Sequence, residues 1–303
     1  MKSDNPYRGV IVPMVTPLTE AHAIDREGVT RLAGLLAGAG ASLFAGGTTG
    51  EGASLSLAQK EELTGLTVRA VNGRTLVYAG ISGNSFPESV DAARRFAGAG
   101  ADAVVANVPF CYPLNGNYTL RYFEELAEAC PIPLIIYNIP GTTHYSIPLH
   151  ILDRLSHHPN IAGVKDSERD QNRLDQALAL WRDRCDFAHL TGWAAMSVYA
   201  LQNGSDGIVP STGNFDPGSY VAMYSAVLHG DNTMAGELQK RTNRLSALYQ
   251  SNRNLSESLV ALKVILSVLG ICGTFMMPPV YPMEDEEEIS YRKTIERELE
   301  KLR

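Results

Sequence analysis

The chain has 303 residues, with 26 Lys plus Arg against 33 Asp plus Glu, a net charge of −7 and 45% hydrophobic residues. That length fits about two ordinary domains, or one α/β barrel of roughly 250 residues with an extension, and the composition excludes a disordered chain. The acidic balance without a basic stripe argues against nucleic acid as a partner, and no apolar run reaches the ~18 residues of a membrane-spanning helix.

Eight short apolar runs lie at 9–15, 42–45, 75–79, 103–108, 134–138, 161–165, 188–191 and 207–209. They lack polar alternation, which is the pattern of parallel strands covered on both faces. Helical patterns separate them, some with N-cap signals such as Ser56 or Asp216-Pro217. The sequence Ala-Gly-Ala-Gly-Ala occurs at 37–41 and again at 97–101, each time between a helical stretch and a strand candidate. The offset equals two strand–helix modules of about 30 residues each. Glycine there can take the left-handed conformation that stops a helix. After Gly230 no strand is expected; 231–251, 255–270 and 284–301 read as helices. The acidic run Glu284 to Glu288 suits the start of the last helix and a solvated face.

This order predicts an α/β fold, a (β/α)8 barrel over 1–230 that carries the active site. A C-terminal helical region, 231–303, is expected to pack on the barrel or on a neighbouring subunit. A doubly wound open sheet is the alternative, because spacing alone does not prove closure. Cys111, Cys130, Cys185 and Cys272 are scattered without a CxxC. They predict reduced, mostly buried thiols in a cytoplasmic protein. The N-terminal residues carry no signal-peptide pattern.

In such a barrel the carboxyl ends of the strands line the site. Three segments place reactive groups there. Gly46-Gly47-Thr48-Thr49-Gly50-Glu51-Gly52 follows the second strand. Its Gly-rich backbone can form a nest for a small anion such as a carboxylate, though glycine needed only for tight geometry is the plainer reading. It is neither a P-loop nor a dinucleotide fingerprint. Tyr137 ends the fifth strand and Lys165 the sixth, 28 residues on. A lysine closing an apolar strand is desolvated, which lowers its pKa and suits imine formation. The alternatives are a lysine snorkelling to solvent or paired with Asp166 or Glu168, and a Tyr137 that merely caps the barrel. On adjacent strands the phenol and the amine can face one another, with Tyr137 as a proton shuttle.

With these residues the chain resembles the dihydrodipicolinate synthase / N-acetylneuraminate lyase family of pyruvate-dependent class I aldolases. The resemblance rests on Gly47-Thr48-Thr49-Gly50-Glu51, Tyr137-Asn138-Ile139-Pro140, Gly163-Val164-Lys165-Asp166 and the stretch from Gly207 through Ile208 and Ser211 to Asn214. It runs from about residue 7 to Pro279. It implies a Schiff base on Lys165, a proton relay of Tyr137 with Thr48 or Thr49, and a homotetramer. It also implies no metal or organic cofactor beyond the covalent imine. A second relay tyrosine of the family, often donated across a subunit interface, aligns with Cys111, with Tyr112 one position on. Synthases of the family have an arginine where this chain has Thr142, and sialic acid lyases an acidic pair where it has Ala194-Ala195.

The expected activity is therefore reversible aldol cleavage of a 4-hydroxy-2-oxo acid, of the 2-keto-3-deoxy sugar acid type, to pyruvate and an aldehyde. Lys165, Tyr137, Thr48 and Tyr112 are the expected catalytic residues. Gly47, Thr48, Thr49, Ile208 and Ser211 are the expected substrate contacts, with Thr212 beside Ser211 and Trp193, Phe110 and Tyr112 near the distal pocket. Alternatives are 4-hydroxy-tetrahydrodipicolinate synthesis, a dehydratase on the same imine, a non-catalytic 2-oxo acid binding barrel, and a nucleotide- or phosphate-binding barrel.

Overall fold

The computed structural model describes residues 5–301. Eight parallel strands close into a barrel in chain order: β1 (Gly9–Pro13), β2 (Ser42–Ala45), β3 (Val77–Gly80), β4 (Ala103–Ala106), β5 (Leu134–Asn138), β6 (Ile161–Asp166), β7 (Ala188–Thr191) and β8 (Gly207–Ile208). The open-sheet alternative is excluded by the pairing of β1 with β8 through Gly9 and Gly207, and Val10 and Ile208. Helices lie between the strands. Among the described residues no helix is long and apolar enough to cross a membrane.

The repeated Ala-Gly-Ala-Gly-Ala segments act as helix stops. Gly40 and Gly100 have φ of +85° and +95°. The following Ala41 and Ala101 donate back to the carbonyls of Leu36 and Phe96, which closes each helix end and turns the chain into β2 and β4. At the other helix ends, Ser56 forms the expected capping box with Gln59. Asp216 caps nothing with its side chain and instead pairs with Arg241.

Strand alternation sorts the core into two layers. Ile11, Phe44, Tyr78, Val105, Ile135, Tyr137, Leu190 and Val209 fill the lumen. Val10, Val12, Leu43, Val77 and Ile208 face outward against the helices. Leu262, Ile265 and Leu266 of the Leu255–Val268 helix join that same outer cluster, as does Tyr249 of the Asn232–Gln250 helix. The last helix, Asp285–Glu300, contributes Tyr291 and Ile295. Cys130 and Cys272 are buried, and burial pushes both thiols up to about 11. Cys111 and Cys185 are exposed, so half of the thiols rather than most belong to the core.

The short β1–β8 seam is reinforced by one side chain. Asn214 accepts from the Val15 N–H and donates to the carbonyls of Pro13 and Ser211, all buried or nearly so. Asn214→Ala strands these groups without partners, and a loss of about 2–4 kcal/mol in urea-unfolding free energy is expected. An unchanged unfolding midpoint would show that the seam does not depend on this residue.

Candidate active site

β5 and β6 pair in register at Tyr137 and Lys165, and at Asn138 and Asp166. Both Tyr137 and Lys165 therefore project into the lumen at the carboxyl end of the barrel. Lys165 is only 6% exposed, and its Nζ packs 3.9 Å from the centre of the Tyr137 ring and 4.9 Å from that of Phe44. The amine thus meets the ring face, where facing side chains had been expected to bring it to the phenol. Aromatic faces attract an ammonium while excluding water from it.

The sequence left open a pairing of Lys165 with Asp166 or Glu168, and the structure removes it. Alternation turns Asp166 outward, where Arg173 Nε approaches Asp166 Oδ2 at 2.9 Å and Glu168 Oε2 at 3.2 Å. Asn138 Nδ2 donates to both carboxylates, and Ser146 to Glu168. These carboxylates are satisfied behind the strands. Among the described residues Lys165 makes no ion pair, and the Tyr137 hydroxyl makes no hydrogen bond.

A cleft of about 710 Å³ opens at this end, lined by Phe44, Gly47, Thr48, Asn107, Phe110 and Tyr137 among others. Lys165 itself lines a void of about 10 Å³ within the barrel, together with Phe44, Tyr78 and Val209. Thr142 also lines the cleft, with its hydroxyl turned back to the Ile139 carbonyl. Farther out stand Lys60 and Glu88; burial lowers the Lys60 ammonium, and the Glu88 charge opposes that shift.

The Gly46–Gly52 loop is folded on itself. Gly46 has φ +64°, and a Cβ at Gly52 or Gly80 would collide with the Gly46 carbonyl. Gly50, Glu51 and Gly52 spend their N–H groups on Gly47 and Thr48 carbonyls. The N–H groups of Thr48 and Thr49 make no such bond among the described residues, which leaves two adjacent donors. This is the backbone pattern an anion nest needs.

Glu51, quoted in the motif but given no role by sequence reasoning, anchors the loop. Its backbone is left-handed, φ +56°, and its carboxylate is buried. Lys263 Nζ lies 2.6 Å from Glu51 Oε1, with the side chains 1% and 3% exposed. Lys263 also donates to the Phe275 carbonyl, and the Met277 N–H donates to Glu51 Oε2. A lysine inside the apolar stretch Leu259 to Leu266 was the one available signal.

Other expected contacts fall elsewhere. Ile208 faces the helices, because lumen-facing residues alternate and Val209 takes the inward position beside Lys165. The Ser211 hydroxyl lies 2.7 Å from Tyr249 Oη, and Thr212 contacts Tyr249 and Ser246. A 3₁₀ turn over Ser211–Asn214 directs both toward the C-terminal helices instead of the cleft. Trp193 packs against Leu174, Leu178 and Ala200. Tyr112 is 76% exposed and does not reach Tyr137 within one chain, whereas Phe110 does line the cleft.

The profile of the Dihydrodipicolinate synthetase family matches residues 6–298. An uncharacterized DapA-like lyase of Thermofilum pendens is 32% identical, over 94% of this chain and 95% of the relative. A 4-hydroxy-tetrahydrodipicolinate synthase of Methanosarcina acetivorans is 28% identical, over 93% and 95%. Among solved structures, dihydrodipicolinate synthase of Bacteroides thetaiotaomicron superposes with a TM-score of 0.91 at 32% identity, covering 97% of this chain and 99% of the other. The chloride-inhibited dihydrodipicolinate synthase of Acinetobacter baumannii, complexed with pyruvate, gives 0.86 at 26% identity, covering 97% and 98%.

Replacing Lys263 by Met leaves the buried Glu51 charge uncompensated, and a loss of about 3–5 kcal/mol is expected in denaturant unfolding. The double variant Glu51→Gln/Lys263→Met should recover part of that loss. Equal stability of the single and double variants would contradict the pairing.

Proposed function

Because the chain belongs to the dihydrodipicolinate synthetase family, whose members are class I, pyruvate-dependent lyases, we propose that it cleaves a 4-hydroxy-2-oxo acid reversibly into pyruvate and an aldehyde. The observation that carries this reading is the shared register of Tyr137 and Lys165, with a shielded amine and no carboxylate partner beside an unengaged phenol.

The substrate carboxylate binds the Thr48 and Thr49 N–H groups, with Gly47 keeping the approach open. Lys165 swings from the ring face by rotation of its own torsions, attacks C2 of the 2-oxo acid, and water leaves as the imine forms. Tyr137, in a relay with the Thr48 hydroxyl, takes the proton of the C4 hydroxyl. The C3–C4 bond breaks, its electron pair moves into the protonated imine, and the aldehyde departs. Protonation of the resulting enamine at C3 and hydrolysis of the imine release pyruvate. The imine supplies the electron sink, so the reading calls for neither metal nor organic cofactor.

Thr142 favours a neutral aldehyde, since its hydroxyl is turned to the Ile139 carbonyl and this position puts no arginine beside Tyr137 to meet a second carboxylate. The second reading, 4-hydroxy-tetrahydrodipicolinate synthesis, is favoured by relatives that carry that name; turnover with aspartate semialdehyde in a coupled reductase assay would select it. In the proposed enzyme residues 1–230 carry the chemistry and 231–303 brace the loop that holds the carboxylate. A homotetramer would offer Tyr112 a neighbouring chain. Four unpaired thiols suit a reducing, cytoplasmic setting.

Borohydride added with pyruvate should leave a pyruvate-sized mass on Lys165, seen by peptide mass spectrometry. An adduct that survives Lys165→Ala, or none in the unaltered protein, refutes the reading. Tyr137→Phe should lower kcat by about 10²–10⁴-fold while trapping at Lys165 continues. Unimpaired turnover would remove Tyr137 from the relay.

A further inference from the structure

Asn107 follows β4 directly. The β4–β5 register pairs Val105 with Ile135 and Ala106 with Ile136, and its next step sets Asn107 opposite Tyr137. Tyr137 is in turn opposite Lys165. Alternation along β4 agrees: Ala103 and Val105 fill the lumen while Val104, Ala106 and Val108 face the helices. Asn107, Tyr137 and Lys165 therefore form one lumen-facing row across three neighbouring strands, each step about 4.8 Å.

The Asn107 backbone is held, because its N–H donates to Ser82 Oγ at 3.0 Å. Its side chain is only 8% exposed and lines the cleft, yet Oδ1 is buried without any hydrogen-bond partner. A buried primary amide with an unmade bond is costly, and native proteins keep few of them. A ligand hydroxyl repairs the defect, since it donates to the amide oxygen and accepts from the amide nitrogen at once. Ser82, already bonded to the Asn107 N–H, lines the cleft together with Phe110 and Ile81, and no group among the described residues donates to Oδ1.

We propose that Asn107 is a specificity-determining residue that binds a hydroxyl on the aldehyde half of the substrate, beyond the C3–C4 bond. The assignment rests on the lyase reading above, and the direction of the row sets which hydroxyl it is. With C2 at Lys165 and the C4 hydroxyl at Tyr137, the next strand over meets the C5 hydroxyl. The substrate class is thus narrowed to 4,5-dihydroxy-2-oxo acids, and the acceptor to 2-hydroxyaldehydes.

Two acceptors that differ by this one hydroxyl, glycolaldehyde and acetaldehyde, provide the test in condensation with pyruvate. In the unaltered enzyme kcat/KM should favour glycolaldehyde by about 10- to 100-fold, the range expected when a buried polar group is left unpaired. In Asn107→Ala, and in Asn107→Leu, which keeps the branched shape, the ratio should collapse toward one through a raised KM for glycolaldehyde. Both rates come from one preparation, so partial unfolding scales them equally and leaves the ratio intact. A ratio that is the same in the unaltered enzyme and both variants overturns the assignment. Failure of pyruvate trapping at Lys165 in the unaltered enzyme is a separate result, and it overturns the lyase reading instead.

Discussion

Closure of eight parallel strands is the constraint from which the site follows. Once β8 pairs with β1, every second residue of each strand must point into a lumen too narrow for water and wide enough only for side chains. Lys165 and Tyr137 share a register pair, so both enter that lumen at one level. The same parity sends Asp166 to the outside, where Arg173 and Asn138 satisfy it. The nearby carboxylates are held by Arg173 on the opposite face of the strand, so among the described residues the Lys165 amine makes no ion pair. Burial, exclusion of a carboxylate partner and contact with the Tyr137 ring face are three consequences of one geometric rule.

The C-terminal helices supply what the barrel cannot. The Gly46–Gly52 loop has four glycines in seven residues and little side chain with which to pack, and its left-handed Glu51 is intrinsically unfavourable. Lys263 and the 275–277 backbone hold that carboxylate from the far side, in a site where water cannot screen the attraction. A similar division operates at the other flank of the site, where Tyr249 engages Ser211 and Thr212. Burial raises the Tyr249 hydroxyl above its ordinary pKa, so it stays a neutral partner to both. The helices brace two of the loops at the carboxyl end of the barrel, and Leu255 and Leu259 also line the cleft.

The succession of strands and helices, the glycine helix stops, the loop of glycines and threonines, and the tyrosine and lysine at strand ends were all legible in the chain, because each depends on local pattern or short spacing. Positions that depend on which way a residue faces were not. Ile208 and Val209 are equally apolar neighbours, and only the closed register assigns the second to the lumen. Ser211 looks like a ligand contact until the Asn232–Gln250 helix is seen to occupy it. Asn107 falls inside the apolar run 103–108 and carries no signal of its own there; the register of β4 with β5 is what sets it opposite Tyr137.

The amino-acid order by itself determined the alternation of strands and helices, through periodicity, and the family resemblance, through short motifs read along one dimension. Tertiary structure alone decided the rest. Glu51 and Lys263 are 212 positions apart (263 − 51), Tyr137 shields an amine from a neighbouring strand, and three side chains align across the barrel mouth. Each of these is a juxtaposition of segments separated in the chain, and no linear spacing specifies the side on which two such segments will meet.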